Sequence, residues 1–261
     1  MVSENKAIKA KLPEYVINFS TEYLDTKRIN FSEEYQKEFV QYLSAKYKKN
    51  LPDLVYVTDD NALQYIQSGK EQLTWNIPVV YSGINNANII NPHPDRLLAG
   101  IFEHKDIQSS ILLARQIEPN SSHIIFLGDG GTTDSAIKEM INVASHKKEN
   151  IEYIYLGETQ LDSIIEKLNS YSQGVVILTT VGGIRDRKGR PLELQKIIKD
   201  LTNTGRKILV MEDAYLLNGV LGGYVTSGQS QGKLAANIAA QIIRGEDVNK
   251  VENERQVLSE F

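Results

Sequence analysis

Cysteine is absent from the 261 residues. Disulfides, thiolate metal sites and cysteine nucleophiles are therefore excluded. Long hydrophobic runs are absent too, and none approaches the ~18 apolar residues of a membrane span. The opening stretch MVSENKAIKAKLPEY has no apolar h-region, so no signal peptide is visible. On this reading the chain is either cytosolic or a soluble piece separated from its targeting segment. Charge of one sign is also scarce. The net charge is −4 with no Lys/Arg stripe, which argues against a nucleic-acid partner. The KYKK run at 46–49 falls at a helix end, where the dipole and solvation account for it. Catalytic signatures are missing as well. There is no P-loop lysine, no complete GxGxxG, no HExxH and no GxSxG elbow. His93, His104, His123 and His146 have no ligand-like spacing, and no metal or cofactor is expected. Trp75, the only tryptophan, precedes a strand and is expected to pack rather than to stack on a ligand.

What is present fits a folded, soluble protein. Hydrophobic residues make up 41% and charged residues 24% of a chain long enough for two domains. Strand and helix patterns alternate. Strands are predicted at 15–20, 54–58, 77–83, 98–104, 123–128, 151–156, 174–180 and 207–213, with a short extended piece at 222–228. Helices are predicted from Ser32 to about residue 49, then at 61–68, 106–117, 133–145, 161–170, 191–204 and 229–244. Ser32 and Asp106 serve as N-caps, Pro191 lies in a first turn, and Gly205 and Gly245 follow helix ends. NPHPDR (91–96) is a break. Continuous apolar strands of this kind suit parallel sheets covered on both faces. Two α/β halves meet near residues 100–105, and the last helix is expected to pack back on the first half.

Three segments carry the candidate site: TDDNA (58–62), SGINN (82–86) and LGDGGTT (127–133). Each follows an apolar strand, and open α/β sheets bind ligands beside the carboxyl ends of their strands. Asp59, Asp60 and Asn61 are candidates either for the cleft or for capping the helix they open. An Asp pair also suggests Mg²⁺, but the further acidic groups that such a site needs are not evident. Gly83 permits an unusual turn, and Asn85 and Asn86 both donate and accept. In LGDGGTT, Asp129, Gly131, Thr132 and Thr133 fit a loop that cradles a carboxylate or hydroxyl, or a plain capped turn. Further on, Gly182 and Gly183 allow close backbone approach. One of Arg185 and Arg187, with Arg187 preferred, pairs with an anionic ligand. Glu212 and Asp213 bind a ligand amine or join a hinge cluster with Tyr215.

The phrases EYLDTKR (22–28), DLVYVTDDNAL (53–63), IPVVYSGINN (77–86), LGDGGTT and GGYVTSGQSQGKLAANIAAQIIRGE (222–246) together resemble a known family. It is the ABC-transporter substrate-binding proteins of the tryptophan/tyrosine-binding type. The chain is most similar to the extracytoplasmic sensor domains that precede bacterial histidine kinases and diguanylate cyclases. The resemblance implies a type I periplasmic-binding-protein fold. Two Rossmann-like lobes, 1–103 plus 227–261 and 104–226, are joined by hinge strands and close around a ligand. It also implies that the first strand of lobe one is missing here, which leaves room for strand exchange or a homodimer. The implied function is a non-catalytic, extracytoplasmic sensor of a small polar ligand, such as an amino acid or carboxylate. It signals to a membrane-anchored kinase or cyclase. The alternatives are the binding component of an ABC transporter, working with its permease, a nucleotide- or metal-dependent enzyme on a doubly wound fold, and an effector domain of a transcription regulator.

Overall fold

The computed structural model describes residues 2–26, 28–29, 31–68, 76–89, 97–144, 151–251, 255–256 and 259–260. The 91–96 break, Trp75, His93 and His146 lie outside them. In chain order the first elements are α1 (Val2–Lys11), α2 (Glu33–Tyr47), β1 (Val55–Thr58), α3 (Asp60–Gln67), β2 (Val79–Ile84) and β3 (Leu98–Glu103). There follow α4 (Ile107–Ile117), β4 (His123–Gly128), α5 (Thr132–Ala144), β5 (Glu152–Gly157), α6 (Leu161–Ser170) and β6 (Val175–Leu178). Last come α7 (Leu194–Thr202), β7 (Ile208–Val210), β8 (Val225–Thr226), α8 (Gly228–Ile243), β9 (Arg255–Gln256) and β10 (Ser259–Glu260). The chain divides into two compact units, Met1–Glu103 with Gly228–Gln256 and His104–Ser227 with Val257–Phe261.

The first unit is a parallel sheet in the order β1-β2-β3-β9. Side chains alternate across it, as the strand period of two requires. Val80, Ala99 and Ile101 face a layer made by α8 and α1, while Val79 and Tyr81 join Leu63, Ile66 and the Phe39 stripe of α2 on the other face. Ala235, Ala236, Ala239 and Ala240 keep α8 slim where it meets the sheet. Arg244, just beyond α8, ties down the end of α1 by donating to Glu14 and to the Lys11 carbonyl. Ser32 caps α2 by accepting from the Tyr35 N–H at 3.2 Å.

One predicted strand is not formed. Residues 16–25 have no regular secondary structure, and Val16 is 94% exposed. A strand needs a ladder partner, and among the described residues this segment pairs with no strand of the sheet. Side chains hold it instead. Glu22 accepts from Tyr42 (2.6 Å), Tyr47 (2.5 Å) and Lys46, and the Tyr47 hydroxyl also bonds Ser20.

The second unit is a parallel sheet in the order β5-β4-β6-β7, beside an antiparallel β8–β10 ribbon. Ile125, Leu127, Val176 and Leu178 pack on α6 and α7, and Ile124, Phe126, Val175 and Ile177 on α4 and α5. Burial on both faces is why these strands read as continuous apolar runs. The helix predicted at 191–204 begins only at Leu194, because Pro191 is held in an isolated bridge with Arg185. The strand predicted at 207–213 shortens to β7, and its end turns into a 3-10 helix, Asp213–Tyr215.

Candidate functional site

In the first unit, TDDNA and SGINN end neighbouring strands and are joined by one carboxylate. Asp60 is fully buried, and its Oδ1 accepts from the backbone N–H groups of Asn85 and Asn86, both at 3.0 Å. Asp59 precedes it with φ +79°, and its side chain accepts from the Asp60 N–H at 2.7 Å. The left-handed backbone of a non-glycine residue is strain held in place by its surroundings. Gly83 also has positive φ (+67°), and a Cβ there would lie 3.7 Å from the Asp59 nitrogen and 3.8 Å from Gln231 Oε1. Asn61 turns elsewhere and donates to Thr26 at 2.9 Å, so it secures the loop before α2. Asn86 Oδ1 accepts from the Asn88 N–H at 3.0 Å. Asn85 is 5% exposed, and its Nδ2 donates to Glu103 Oε2 at 3.2 Å.

In the second unit the LGDGGTT loop is organised the same way. Asp129 is buried, and its Oδ1 accepts from the Gly131 N–H (3.0 Å) and the Thr180 hydroxyl (3.1 Å). Its Oδ2 accepts from the Gly183 N–H at 2.7 Å. Asp134, in the first turn of α5, adds a second tie. It accepts from the Gly130 N–H at 2.9 Å and from the Thr179 hydroxyl at 3.0 Å. Gly128 makes room for this, since a Cβ there would stand 1.7 Å from Asp134 Oδ1. Burial raises the Asp134 pKa, outweighing the hydrogen bonds that lower it, and the Asp129 charge adds to the rise. The Tyr155 hydroxyl, which donates to the Asp134 carbonyl at 3.1 Å, is likewise pushed up, first by burial and then by Asp134. Thr132, Gly131 and Gly182 remain exposed beside this frame, while Thr133 is buried.

Glu212 follows β7 and bonds Lys105 at 3.1 Å. Lys105 is 1% exposed and also donates to Thr226 Oγ1 (3.0 Å) and the Met211 carbonyl (3.4 Å). A buried ammonium matched to three oxygens is satisfied. Sequence reading missed Lys105, Asp134, Thr180 and Glu103. The signal for Lys105 was a lysine between the apolar strand LAGIFE and the capping Asp106. Arg187 is not brought to the Asp129 cluster, and it donates to Asp162 of α6 at 2.8 Å on the exposed surface. Arg185 is taken up by the Gly189 carbonyl.

Chemically, both strand-end edges are hydrogen-bonded frames. The carboxylates of Asp60, Asp129 and Asp134 accept from backbone and hydroxyl donors, which fixes loops in place. No group of three or more His, Asp or Glu placed to hold a metal occurs among the described residues. No helix among them is long and apolar enough to cross a membrane.

The fold is shared with solved structures. A conserved domain protein from Vibrio cholerae aligns with TM-score 0.70 and 13% identity over 96% of this chain and 83% of its own. The ABC domain from Streptococcus pneumonia, solved with L-Trp, gives TM-score 0.67 and 17% identity over 95% and 82%. An ABC transporter solute binding protein from Bacillus halodurans with bound myo-inositol gives 0.57 and 15% over 94% and 85%. The α/β architecture with parallel sheets is thus that of the type I periplasmic binding proteins. No curated protein sequence matches the chain. The sequence pattern of the ABC transporter substrate binding proteins matches residues 21–261, and the chain belongs to that family.

Proposed function

We propose that this protein is the extracytoplasmic ligand-binding domain of a membrane signalling protein. Members of its family bind small molecules and are not catalysts, and they work typically in the periplasm or elsewhere outside the cytoplasm. In this reading the domain binds a small polar ligand, such as an amino acid or carboxylate. Binding shifts the domain between two states and so biases an attached histidine kinase or diguanylate cyclase. A ligand drives such a change only through its differential affinity for the two states. The observation that supports binding most directly is the pair of preorganised polar edges. In each, a buried aspartate, Asp60 or Asp129, fixes loop backbone beside the carboxyl ends of parallel strands. Amino-acid chemistry is supported by the L-Trp complex of the Streptococcus neighbour, and a polyol by the inositol complex of the Bacillus neighbour. Resemblance of the TDDNA and SGINN phrases to sensor domains supports the signalling role.

The family match supports a second reading, the binding component of an ABC transporter that delivers its ligand to a permease. A thermal-shift screen tests the shared core of both. Amino acids, carboxylates and polyols are expected to raise the melting temperature, with about 2.7 kcal/mol of stabilisation at 100 times Kd. Stabilisation by nucleotide with Mg²⁺ alone overturns both readings. The genomic surroundings separate them. A kinase or cyclase module in the same reading frame marks a sensor, and adjacent permease genes mark a transporter.

A further inference from the structure

We propose that Asn85 is a ligand-recognition point of the first unit, and that the group it takes is a primary ammonium. The inference rests on the ligand-binding reading above and adds the chemistry of one contact. Asn85 lies just past the carboxyl end of β2, beside the start of α3. Its side-chain amide has two ends in different circumstances. Nδ2 donates to Glu103 Oε2 at 3.2 Å. A carboxylate only accepts, so this bond fixes which end of the amide is nitrogen. The other end, Oδ1, is buried and has no hydrogen-bond partner among the described residues. Asn85 as a whole is 95% buried, so bulk solvent does not serve that oxygen freely. An unmet buried acceptor is costly, and native proteins seldom leave one without a purpose. Among the described residues, what Oδ1 lacks is a donor.

The charge around it selects the kind of donor. Two carboxylates hydrogen-bond to Asn85 itself, Asp60 through the backbone N–H and Glu103 through the side chain. A neutral hydroxyl would satisfy the oxygen alone. An ammonium satisfies the oxygen through a charge-assisted bond, and such bonds are the stronger ones. A primary ammonium is also a compact point charge with three donors, whereas a guanidinium is a wide planar fork. Through Nδ2 the same amide holds Glu103, the last residue before the chain leaves the first unit. Asn85 thus connects the ligand contact to the segment where the units are joined in sequence.

The test uses the full chain and matched probes that differ only in the amine. They are L-alanine with propionate, L-phenylalanine with phenylpropionate, and L-tryptophan with indolepropionate, with myo-inositol as an amine-free polyol. Each is screened by thermal shift and then by calorimetry against wild type, Asn85→Ala and Asn85→Asp. At least one amine probe is expected to bind, with its deaminated partner about tenfold weaker or worse, the loss of roughly one charge-assisted hydrogen bond. Asn85→Ala weakens the amine probe by a similar factor. Asn85→Asp keeps an acceptor but gives up the bond to Glu103 and sets a second carboxylate beside it, so the preference for the amine probe over its deaminated partner, rather than the absolute affinity, is expected to persist. If the alanine variant fails to fold, the aspartate variant carries the test, and loss of the amine preference there overturns the proposal. Equal binding of amine and deaminated partner, or binding of the polyol alone, overturns the Asn85 assignment and leaves the ligand-binding reading standing. If no probe shifts the melting temperature, both fall.

Discussion

The two strand-end edges solve one problem in different ways. Each uses a buried aspartate to hold loops beside a parallel sheet. In the first unit, Asp60 uses a single oxygen, Oδ1, for both backbone donors. In the second, Asp129 uses both oxygens, Oδ1 for Gly131 and Thr180 and Oδ2 for Gly183. The backbone hydrogen bonds of the first clamp thus fall on one oxygen of its aspartate, and those of the second on both. An acid at a strand end is accordingly not by itself a ligand contact.

That difference can be broken by substitution. The largest effect is expected for Asp129→Ala, which orphans two backbone N–H groups and a threonine hydroxyl. Loss of about 3–5 kcal/mol in the second unit is expected, read as a shift in its urea transition. Next is Asp60→Ala, with two N–H groups orphaned and about 2–4 kcal/mol lost in the first unit. The amide variants sharpen the contrast. Asp60→Asn retains one oxygen for both donors and is expected to cost about 1 kcal/mol. Asp129→Asn must turn an NH₂ toward a donor and is expected to cost nearly as much as Asp129→Ala. Equal losses for the two Asn variants would contradict the one-oxygen, two-oxygen distinction.

Smaller is Lys105→Met, which fills the volume but removes the ties to Thr226 and Glu212. Glu212 keeps 27% side-chain exposure, so water relieves part of the loss. About 1–3 kcal/mol is expected, measured by denaturation of the second unit. The smallest effect distinguishes the units by pH. Burial raises the Glu22 pKa, but the hydrogen bonds from Lys46, Tyr42 and Tyr47 together outweigh it and bring it from 4.5 to about 2. A depressed folded-state pKa gives stability present above 4.5 that is lost as the pH falls toward about 2. Asp134 has the opposite sign. Its pKa is raised, chiefly by burial, so its contribution is best below the ordinary 3.8 and declines as the pH rises above it. Acid titration of the unfolding transitions should show a loss in the first unit that Glu22→Gln abolishes. Persistence of that loss in Glu22→Gln would assign it to another group.

Much of the fold was legible in the sequence. The helix from Ser32 announced itself through its cap and the Tyr35, Phe39, Leu43, Tyr47 stripe. The apolar runs of β4 and β6 signalled burial on both faces. The segment 15–20 misled, because YVINFS has strand composition but a strand exists only with a neighbour. At the site, the polar strand-end segments are visible in the sequence and their hydrogen-bond partners are not. Asn61, a candidate for the cleft or for capping, donates to Thr26, and Arg187, preferred over Arg185 for an anionic ligand, donates to Asp162.

The βα rhythm and the placing of polar residues after apolar strands are written in the local sequence. Periodicity and caps are local, and they act within a few residues along the chain. Which side chain meets which depends on the packed fold. Asp60 reaches Asn85 across 25 residues of sequence, Asp129 reaches Gly183 across 54, and Lys105 reaches Thr226 across 121. Hydrogen-bond partners at such separations are set by how the sheets stack their loops, and no local propensity encodes them.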